Sequence, residues 1–433
     1  MHGRELLEAI VTRYPDSFPA VALLANFQHF EGLYEAVGKR WQNGWGSYLF
    51  DGQKYMYQPA TLRKQEELYR YAMSATNALE IGVYLGHSLL IMLIANPTLQ
   101  ITCIDNDDQF ARKAVDYLNR EFGNRITFIH ADALKGIETL GDNTFDFVHI
   151  DADHYDEAVK NQFNASLRVA KLGATVVFDD YEAVRGTIDG FIRNGFLKHL
   201  VTPGCLWTNC VTQLLSKTWV DSIQNVSKPF TALSSERLLN NINMMEYVNK
   251  SGIEGDVVEV GVYKGGSMLA FLKTYEHAAS PPPKRTFHLY DTFSGMTAPT
   301  DLDIDLNGYS ANQLMQQNSN VKCISSLEEV QKNISNNTNV KDIEYHVGDI
   351  LQNTVYPEKI AILRLDTDWY ESTAFELANF YDKVVPGGVT IIDDYGHWMG
   401  CRRAVDEFLL THPEITLTQI DYTGVYWLKP HST

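Results

Sequence analysis

The chain lacks any stretch that is long and apolar enough to cross a bilayer, and no basic N-terminal segment with an apolar core follows Met1. A membrane-spanning helix takes about 20 apolar residues, and the longest apolar runs, such as SLLIMLIA at 88–95, fall well short of that. The five cysteines form no CxxC pair, which is typical of reduced thiols rather than of a disulfide framework. These absences predict a cytoplasmic protein without a secretory signal and without membrane contact.

Positive charge is also scarce. The 36 lysines and arginines are outnumbered by 54 acidic residues, and the net charge is −18 over 433 residues. Such a chain is repelled by phosphate backbones and by anionic membrane surfaces, so we expect a small-molecule partner and no nucleic acid. The GxGxxG fingerprint of dinucleotide-binding proteins is missing as well, which argues against an NAD-dependent sugar dehydrogenase or epimerase.

What the chain does contain is an internal repeat. LEIGVYLGHSLL at 79–90 matches VEVGVYKGGSML at 258–269, DADHY at 151–155 matches DTDWY at 366–370, and FDDY at 178–181 matches IDDY at 392–395. The offset between the copies grows from 179 to about 215 residues, so the second copy carries an insertion of about 36 residues. We predict two related domains, with the insertion forming a lid loop around 295–340.

Both copies alternate apolar, β-branched runs with helical patterns. Strands are predicted at NALEIGV, QITCID, RITFIHAD, FDFVHID and ATVVFDD in the first copy, and at DVVEVGV, TFHLYD, IEYHVGD, IAILRLD and GVTIIDD in the second. Such alternation predicts α/β domains with doubly wound, mostly parallel sheets. We therefore predict a helical cap at 1–65, domains at 66–200 and 236–433, and a connection at 201–235.

A glycine-containing loop follows the first strand of each copy, as EIGVYLGHS and EVGVYKGGS. Glycine lets the backbone approach a ligand closely, and the N-terminus of the next helix offers free N–H groups. Two later strands of each copy end in an acid that suits a ribose or an adenine amine. This ordered set resembles the class I S-adenosylmethionine-dependent methyltransferases, and in the first copy it comprises Glu80, Gly82, Gly86, Ser88, Asp105 and Asp132.

Paired carboxylates follow two strands of the second copy that this topology makes neighbours: Asp366 and Asp368, then Asp393 and Asp394. Two carboxylates 4 Å apart repel by about 4 kcal/mol at an effective dielectric constant of 20. Protons, an arginine such as Arg364, Arg402 or Arg403, or a divalent cation would compensate this repulsion. Oxygen ligands favour Mg²⁺, with Asp368 free to act as the general base. The alternative is that the Asp-Asp pair only caps the next helix.

Residues 236–430 resemble the macrocin/mycinamicin/novobiocin-type sugar O-methyltransferases, the TylF family. The resemblance lies in VVEVGVYKGGSM, YDTFSGM, RLDTDWYEST, VPGGVTIIDDYGHWMGCRRAVDEFL and the terminal YWLK. It implies Mg²⁺ ligands at Asp366, Asp393 and Asp394, with Asp368 as the base. It also implies a cofactor site of Glu259, Gly261, Gly265, Ser267, Asp291 and Asp349. The segment YHVGDILQNT departs from the family pattern around Asp349.

Residues 66–200 resemble a looser group of class I methyltransferases that also carry IDADHY and FDDY. The repeat then places a second Mg²⁺ site at Asp151, Asp179 and Asp180. In some of the related sugar enzymes the base is the histidine that follows the DxD pair, so the resemblance implies that His154 competes with Asp153 as the base of this copy. A solvated position at the start of a helix is the alternative for His154.

Together these features predict tandem Rossmann-like class I methyltransferase domains that bind S-adenosylmethionine and Mg²⁺. The expected reaction is O-methylation of a hydroxyl on a sugar or glycosylated metabolite, with Trp369–Tyr370 as a wall facing the sugar. Either both domains turn over, or the first is a scaffold that mimics the dimer of single-domain relatives. A homo-oligomer fits the same scheme. A non-catalytic cofactor-binding module is the rival from another class.

Overall fold

The structure, a computed structural model, describes residues 3–38, 59–201, 203, 208–278, 280–317 and 322–431. The chain divides into two compact units, residues 1–218 and 219–433. Part of the predicted cap, residues 1–2 and 39–58, lies outside the described residues. Within the described ranges, no helix combines the length and the apolar character that a membrane crossing requires.

The first unit is a seven-stranded sheet with helices around it, in the strand order β3-β2-β1-β4-β5-β7-β6. Its strands are β1 (Asn77–Ile81), β2 (Gln100–Asp105), β3 (Ile126–His130), β4 (Phe145–Ile150), β5 (Ala170–Phe178), β6 (Leu197–His199) and β7 (Cys210–Leu214). Its helices are α1 (Gly3–Arg13), α2 (Phe18–Ala25), α3 (Phe27–Val37), α4 (Pro59–Ala72), α5 (His87–Ala95), α6 (Asp108–Phe122), α7 (Ala133–Glu138), α8 (Asp156–Val169) and α9 (Tyr181–Arg193). Strands β1 to β5 pair in parallel, and β7 pairs antiparallel with β5.

Local sequence signals explain where the elements of this unit begin and end. The predicted helix DQFARKAVDYLNREF forms α6, whose first turn is capped by the Asp107 side chain accepting from the amide of Gln109. It ends at Gly123 in the left-handed conformation, with φ of 84°. The first three helices bury Leu7, Leu23 and Phe30, respectively, in the same core as the sheet, so the N-terminal segment is part of the unit.

The second unit repeats this architecture in the order β10-β9-β8-β11-β12-β14-β13. Its strands are β8 (Asp256–Val260), β9 (Phe287–Asp291), β10 (Ile343–Val347), β11 (Ile360–Leu365), β12 (Val384–Ile392), β13 (Thr418–Gln419) and β14 (Val425–Leu428). Its helices are α10 (Trp219–Ser227), α11 (Ser235–Lys250), α12 (Gly266–Glu276), α13 (Ala311–Gln317), α14 (Leu327–Asn337), α15 (Tyr370–Phe380) and α16 (Met399–Leu410). The predicted fold class, two tandem α/β units with mostly parallel sheets, is confirmed.

Two segments differ from their predicted form. The stretch 201–235, predicted as a connection, contains β7 of the first sheet and α10 of the second unit. The sequence of β7, CVTQL, is short and half polar, so no apolar run marks it. The insertion around 295–340, predicted as a lid loop, contains helices α13 and α14. Residues 318–321 of this insertion lie outside the described residues.

Candidate active sites

In each sheet the strand order reverses between the two central parallel strands, β1 and β4 in the first and β8 and β11 in the second. In open α/β sheets, ligands bind in the crevice at this reversal, outside the carboxyl ends of the strands. The two glycine loops follow β1 and β8, and the two DxD segments follow β4 and β11. The topology therefore brings each loop beside its own acidic pair.

The first glycine of each loop is required by this close approach. Gly261 has φ of +85°, and a Cβ there would lie 2.0 Å from the carbonyl oxygen of Asp366. Gly82 has φ of +93°, and its Cβ would lie 2.4 Å from the carbonyl oxygen of Asp151. No side chain fits at either position, so glycine lets the loop contact the start of the DxD segment.

In the second unit, Arg364 on β11 lies among the carboxylates. It is fully buried, and its Nη1 donates to Glu259 at 3.0 Å and to Asp366 at 2.8 Å. Its Nη2 donates to Asp393 at 2.6 Å, and Arg237 of α11 bonds the other oxygen of Asp393. Two guanidinium groups thus face these three carboxylates.

Two more carboxylates, Asp368 and Asp394, lie against each other in the same cluster. Asp368 has φ of +67°, an unusual conformation for an aspartate at the end of a strand. Among the hydrogen bonds of the described residues, those of Arg364 and Arg237 within this pair of strand ends reach Asp366 and Asp393 but not Asp368 or Asp394. The cluster holds more negative than positive groups when all its acids are ionised.

Burial has a strong effect on the protonation of these acids. It raises the pKa of Asp368 to about 8, and the neighbouring charge of Asp366 adds to the shift. The pKa of Asp393 rises to about 7, because burial and the charge of Asp366 outweigh the two arginines. Burial, followed by the charge of Asp368, raises the pKa of Asp394 well above its usual range. Each acid therefore favours either a proton or a nearby cation.

The donor set fits a hard divalent cation. One carboxylate oxygen from each of Asp366, Asp393 and Asp394 can be chosen so that all lie within 4.8 Å of one another. Oδ2 of Asp394 is buried and accepts no hydrogen bond from the described residues, and such an atom costs free energy unless a cation or donor meets it. Oxygen-only ligands of this kind suit Mg²⁺ rather than a softer metal.

A cavity beside this cluster collects most of the residues predicted for the cofactor. Its lining includes Gly261, Ser267, Asp291 and Asp349 together with Asp366 and Asp368. Glu259 and Gly265 do not belong to the lining. Glu259 is fully buried behind it, where burial raises the pKa of its carboxyl to about 7. Gly265 is the N-cap residue immediately before α12, with φ of +88°.

The predicted ribose acid of each copy also holds its glycine loop in place. Oδ2 of Asp291 accepts from the amides of Val262 and Tyr263, at 2.7 and 3.2 Å. In the first unit, Oδ2 of Asp105 accepts from Val83 and Tyr84, at 2.8 and 2.9 Å. Oδ1 of Asp291 also accepts from the amide of Phe293, and Oδ1 of Asp105 from that of Asp107, both at 2.8 Å. Of the roughly four lone-pair sites of each carboxylate, three thus accept backbone amides, which leaves about one for a ligand.

The insertion packs against the DTDWY segment. Trp369 is 2% exposed and donates its indole N–H to the carbonyl of Thr297, at 3.1 Å. Asp303, fully buried, accepts from the amide of Tyr370 at 2.8 Å. Neither Trp369 nor Tyr370 lines the cavity. Trp369 is therefore too buried to form the expected sugar-facing wall, and the side chain of Tyr370 in that wall stays a prediction. The insertion itself contributes Met296, Thr297 and Cys323 to the lining.

The first unit has a cavity in the corresponding place, lined by Gly82, Asp105, Asp132, Asp151, Asp153 and His154. Asp153 accepts from the side-chain amide of Gln162 at 2.9 Å. His154 is 42% exposed and lies 4.0 Å from Asp151 and 3.8 Å from Asp180. Both candidate bases thus reach the cavity, and His154 is the one that faces the other acids of the cluster.

Behind this cavity, Glu80 is fully buried and bonds to two polar neighbours. The Ser88 hydroxyl donates to one of its oxygens, and Nδ1 of His149 lies 3.0 Å from the other. Gly86 is the N-cap residue immediately before α5, with φ of +76°. Glu80, Gly86 and Ser88 do not belong to the cavity lining, so they support the loop from behind.

A lysine distinguishes the acidic cluster of the first unit. Lys64 Nζ on α4 lies 2.7 Å from Oδ1 of Asp179 and 2.5 Å from Oδ1 of Asp180. Although burial opposes both shifts, this ion pair raises the pKa of Lys64 and lowers that of Asp179. Burial and the charge of Asp179 raise the pKa of Asp151 well above its usual range.

Sequence reasoning missed the two cations that reach the clusters from distant helices, Lys64 and Arg237. Of the three arginines considered from their sequence proximity, Arg364 is in the cluster. Arg402 and Arg403 instead form exposed pairs with Asp406 and Glu407 on their own helix. The only available signal was a basic residue in the helix that precedes the glycine strand of each copy, and such residues are too common to be recognised.

Comparison with known proteins agrees with this geometry. The sequence profile of the Macrocin-O-methyltransferase (TylF) family matches residues 221–429, and a profile described as Methyltransferase domain matches residues 79–181. Mycinamicin III 3''-O-methyltransferase of Micromonospora griseorubida is 33% identical over 211 residues, which cover 46% of this chain and 78% of that protein. Demethyldecarbamoylnovobiocin O-methyltransferase of Streptomyces niveus is 33% identical over 209 residues, covering 46% and 75%.

Among solved structures, that of the O-methyltransferase NovP is 32% identical and covers 47% of this chain and 83% of its own, with a TM-score of 0.40. The family match falls on the second unit and includes its glycine loop, both acidic pairs and the cavity between them. This chain therefore belongs to the macrocin O-methyltransferase (TylF) family and is an S-adenosylmethionine-dependent O-methyltransferase.

Proposed function

We propose that the second unit catalyses Mg²⁺-dependent methylation of a hydroxyl on a sugar or glycosylated metabolite. The observation that carries this proposal is the meeting of Asp366, Asp393 and Asp394, with the bare Oδ2 of Asp394, in the cavity that also contains Gly261 and Asp291. The names of the mycinamicin III 3''-O-methyltransferase and the demethyldecarbamoylnovobiocin O-methyltransferase support an acceptor of the natural-product class.

Asp366, Asp393 and Asp394 would hold the metal ion, which supplies Lewis acidity that lowers the pKa of an acceptor hydroxyl. S-adenosylmethionine supplies an electrophilic methyl group. Asp368 lines the same cavity beside Asp366 and would accept the hydroxyl proton as general base while the methyl group passes from sulfur to oxygen. Asp368 is thus the proposed base.

The remaining residues of the chain position these groups. Arg364 fixes Asp366 and Asp393 relative to Glu259 behind them, so the carboxylates keep their spacing when a ligand enters. Asp291 holds the glycine loop through two amides. Because methyl transfer is an in-line displacement, holding the oxygen and the methyl carbon in line supplies much of the rate acceleration.

We propose a different role for the first unit, in which Lys64 takes the place of the metal ion. Its ammonium group already neutralises Asp179 and Asp180, the equivalents of Asp393 and Asp394 in the repeat. On this view the first unit binds S-adenosylmethionine in the cavity lined by Gly82, Asp105 and Asp132 but does not recruit Mg²⁺. It then acts as a cofactor-binding scaffold for the catalytic unit.

Matched substitutions in the two copies test this division of labour. Asp394→Asn removes a metal ligand without breaking an arginine pair, and Asp180→Asn is the equivalent change in the first copy. Methyl transfer is measured against a panel of glycosides and nucleotide sugars. We expect chelation of the metal ion, or Asp394→Asn, to abolish transfer. Asp368→Asn should lower kcat by about 10²–10⁴-fold, whereas Asp180→Asn should leave kcat intact.

Calorimetric binding of S-adenosylmethionine shows whether each variant remains folded. Transfer that survives chelation would contradict the Mg²⁺ dependence. Loss of turnover in Asp180→Asn, with turnover retained in Asp394→Asn, would mean that the first unit is the catalytic one.

A further inference from the structure

Two histidines and a glutamate meet on one face of the sheet edge in the second unit. His288 lies on β9, and Glu344 and His346 lie on the edge strand β10. The strands are parallel, with Glu344 opposite His288, and residues two apart share a face of a strand. None of the three side chains lines the active-site cavity, so this group is separate from the acidic cluster.

The three ligand atoms form a triangle of the size that a tetrahedral metal ion requires. His288 Nδ1 lies 3.1 Å from His346 Nε2 and 3.4 Å from Glu344 Oε2, and the third side of the triangle measures 3.8 Å. Zinc binds nitrogen and oxygen ligands at about 2.0–2.2 Å, which places neighbouring tetrahedral ligands roughly 3.3 Å apart. The three distances between the ligand atoms, 3.1, 3.4 and 3.8 Å, bracket that value.

A carboxylate behind the triangle orients the first histidine. His288 Nε2 lies 3.3 Å from Oδ2 of Asp256 on β8, and Asp256 is fixed by accepting from the amide of Thr286 at 2.8 Å. When Nε2 carries the proton, the lone pair of Nδ1 points at His346 and Glu344. Metal-binding histidines are commonly held by a second-layer carboxylate of this kind.

The second histidine is also held in place, and the group opens to solvent on one side. The ring of His346 stacks on Tyr290 with centroids 4.1 Å apart and an interplanar angle of 9°. Side-chain exposure rises from 9% at His288 through 17% at His346 to 59% at Glu344. This gradient leaves a route for an ion and a place for water as the fourth ligand.

When His288 Nε2–H donates to Asp256, two lone pairs, those of His288 Nδ1 and Glu344 Oε2, point toward each other. A hydrogen bond from His346 satisfies His288 but leaves the glutamate oxygen beside another acceptor. A cation between the three atoms removes that conflict. Two imidazoles and one carboxylate form a borderline ligand set that favours Zn²⁺ over Mg²⁺.

We propose that His288, Glu344 and His346 bind a structural Zn²⁺ ion, with Asp256 as the positioning residue. The ion joins β9 to β10, the strands that lead directly into Asp291 and Asp349 at the cofactor cavity. It takes no part in methyl transfer. It steadies the edge of the sheet that carries two cofactor-facing acids.

The test is calorimetric Zn²⁺ titration of the full-length, untagged, metal-stripped protein in excess Mg²⁺, with Co²⁺ absorption as a spectroscopic check of tetrahedral coordination. We expect a Zn²⁺ binding event that is lost in the His288→Gln/His346→Gln double variant. Asp256→Asn should weaken this event by about 10–100-fold. Glu344→Gln should also weaken the Zn²⁺ binding event. Because Glu344 is exposed, this variant serves as the test if the double variant does not fold.

Two control variants separate this site from the other acidic and histidine groups of the chain. His154→Gln, beside Asp151 in the first unit, and Asp394→Asn in the proposed Mg²⁺ site should each retain the event. Absence of Zn²⁺ binding by the folded wild-type protein would overturn the proposal. Unchanged binding in both the double variant and Glu344→Gln would do the same.

Discussion

Titratable side chains next to the glycine loops are buried, and His87 is the clearest case in the first unit. It is the first residue of α5, it is 4% exposed, and its ring lies 5.9 Å from that of Phe30. Burial lowers its pKa from 6.5 to about 4. The folded state therefore favours neutral His87, whereas the unfolded chain takes up a proton below pH 6.5.

This difference predicts acid sensitivity of the first unit. Because the folded pKa is depressed, the stabilisation is complete above pH 6.5 and is lost as the pH falls toward 4. We expect this group to lower the free energy of unfolding by about 2.5 kcal/mol between pH 7 and pH 4.5. Urea denaturation of wild-type protein and of His87→Gln measures it, with hydrogen exchange of β1 amides reporting on the first unit. Equal pH slopes in the two proteins would contradict the prediction.

Residue-scale chemistry was predictable from the sequence where it depended on neighbours along the chain. The DxD and Asp-Asp pairs, the glycine loops and Arg364 all lie at strand ends that periodicity identifies. The pairing of Asp179 with Lys64 was not predictable, since 115 positions separate the two residues and lysine on a helix is usually solvated. The anchoring role of Trp369 was missed because the sequence does not show where the insertion folds back.

At the scale of elements, α4 and α11 each project a basic side chain toward an Asp-Asp pair, with different results. Lys64 of α4 contacts both aspartates of its pair. Arg237 of α11 bonds Asp393 and also Asp421, at 3.0 Å, and among the described contacts it makes no hydrogen bond to Asp394. The basic side chain thus contacts both aspartates of the pair in the first unit but only one in the second, where Oδ2 of Asp394 accepts no hydrogen bond from the described residues.

Removing the lysine should therefore create a second cation site. We expect Lys64→Met to raise the number of Mn²⁺ ions bound per chain by one, counted by electron paramagnetic resonance, because Asp151, Asp179 and Asp180 lose their internal cation. Arg63→Met, one position away and paired with Glu67, is the matched control and should leave the count unchanged. A count that stays the same in Lys64→Met would show that Lys64 does not stand in for a metal ion.

The elements were predicted well where a long pattern repeats, as for α6, and poorly where an element is short. β7 has only five residues and pairs antiparallel with β5 at the far side of the sheet. Its pairing depends on a partner strand that ends 32 positions earlier, so no local signal specifies it. The helices of the insertion were hidden by its polar, turn-rich composition.

At the scale of the whole molecule, the repeat gives two cavities of related design, each with its own loop-holding aspartate. We expect calorimetry to find two S-adenosylmethionine sites per chain. Asp291→Asn should remove one and Asp105→Asn the other, because an asparagine amide nitrogen facing the loop amides cannot accept their hydrogen bonds. A single site that only one of these substitutions removes would show that the second cavity does not bind the cofactor.

Duplicated architecture was the part of the fold most accessible from sequence, since three matched segments in the same order fix both the number of units and the position of the insertion. The insertion also limits how this enzyme can be re-engineered. A Cβ at Gly400 of α16 would lie 2.0 Å from Oδ1 of Asp303, the buried insertion residue that accepts from Tyr370. A chimaera that receives the insertion with Asp303 therefore also needs glycine at the position of Gly400. The two positions lie about 100 residues apart in the sequence and have to be exchanged together.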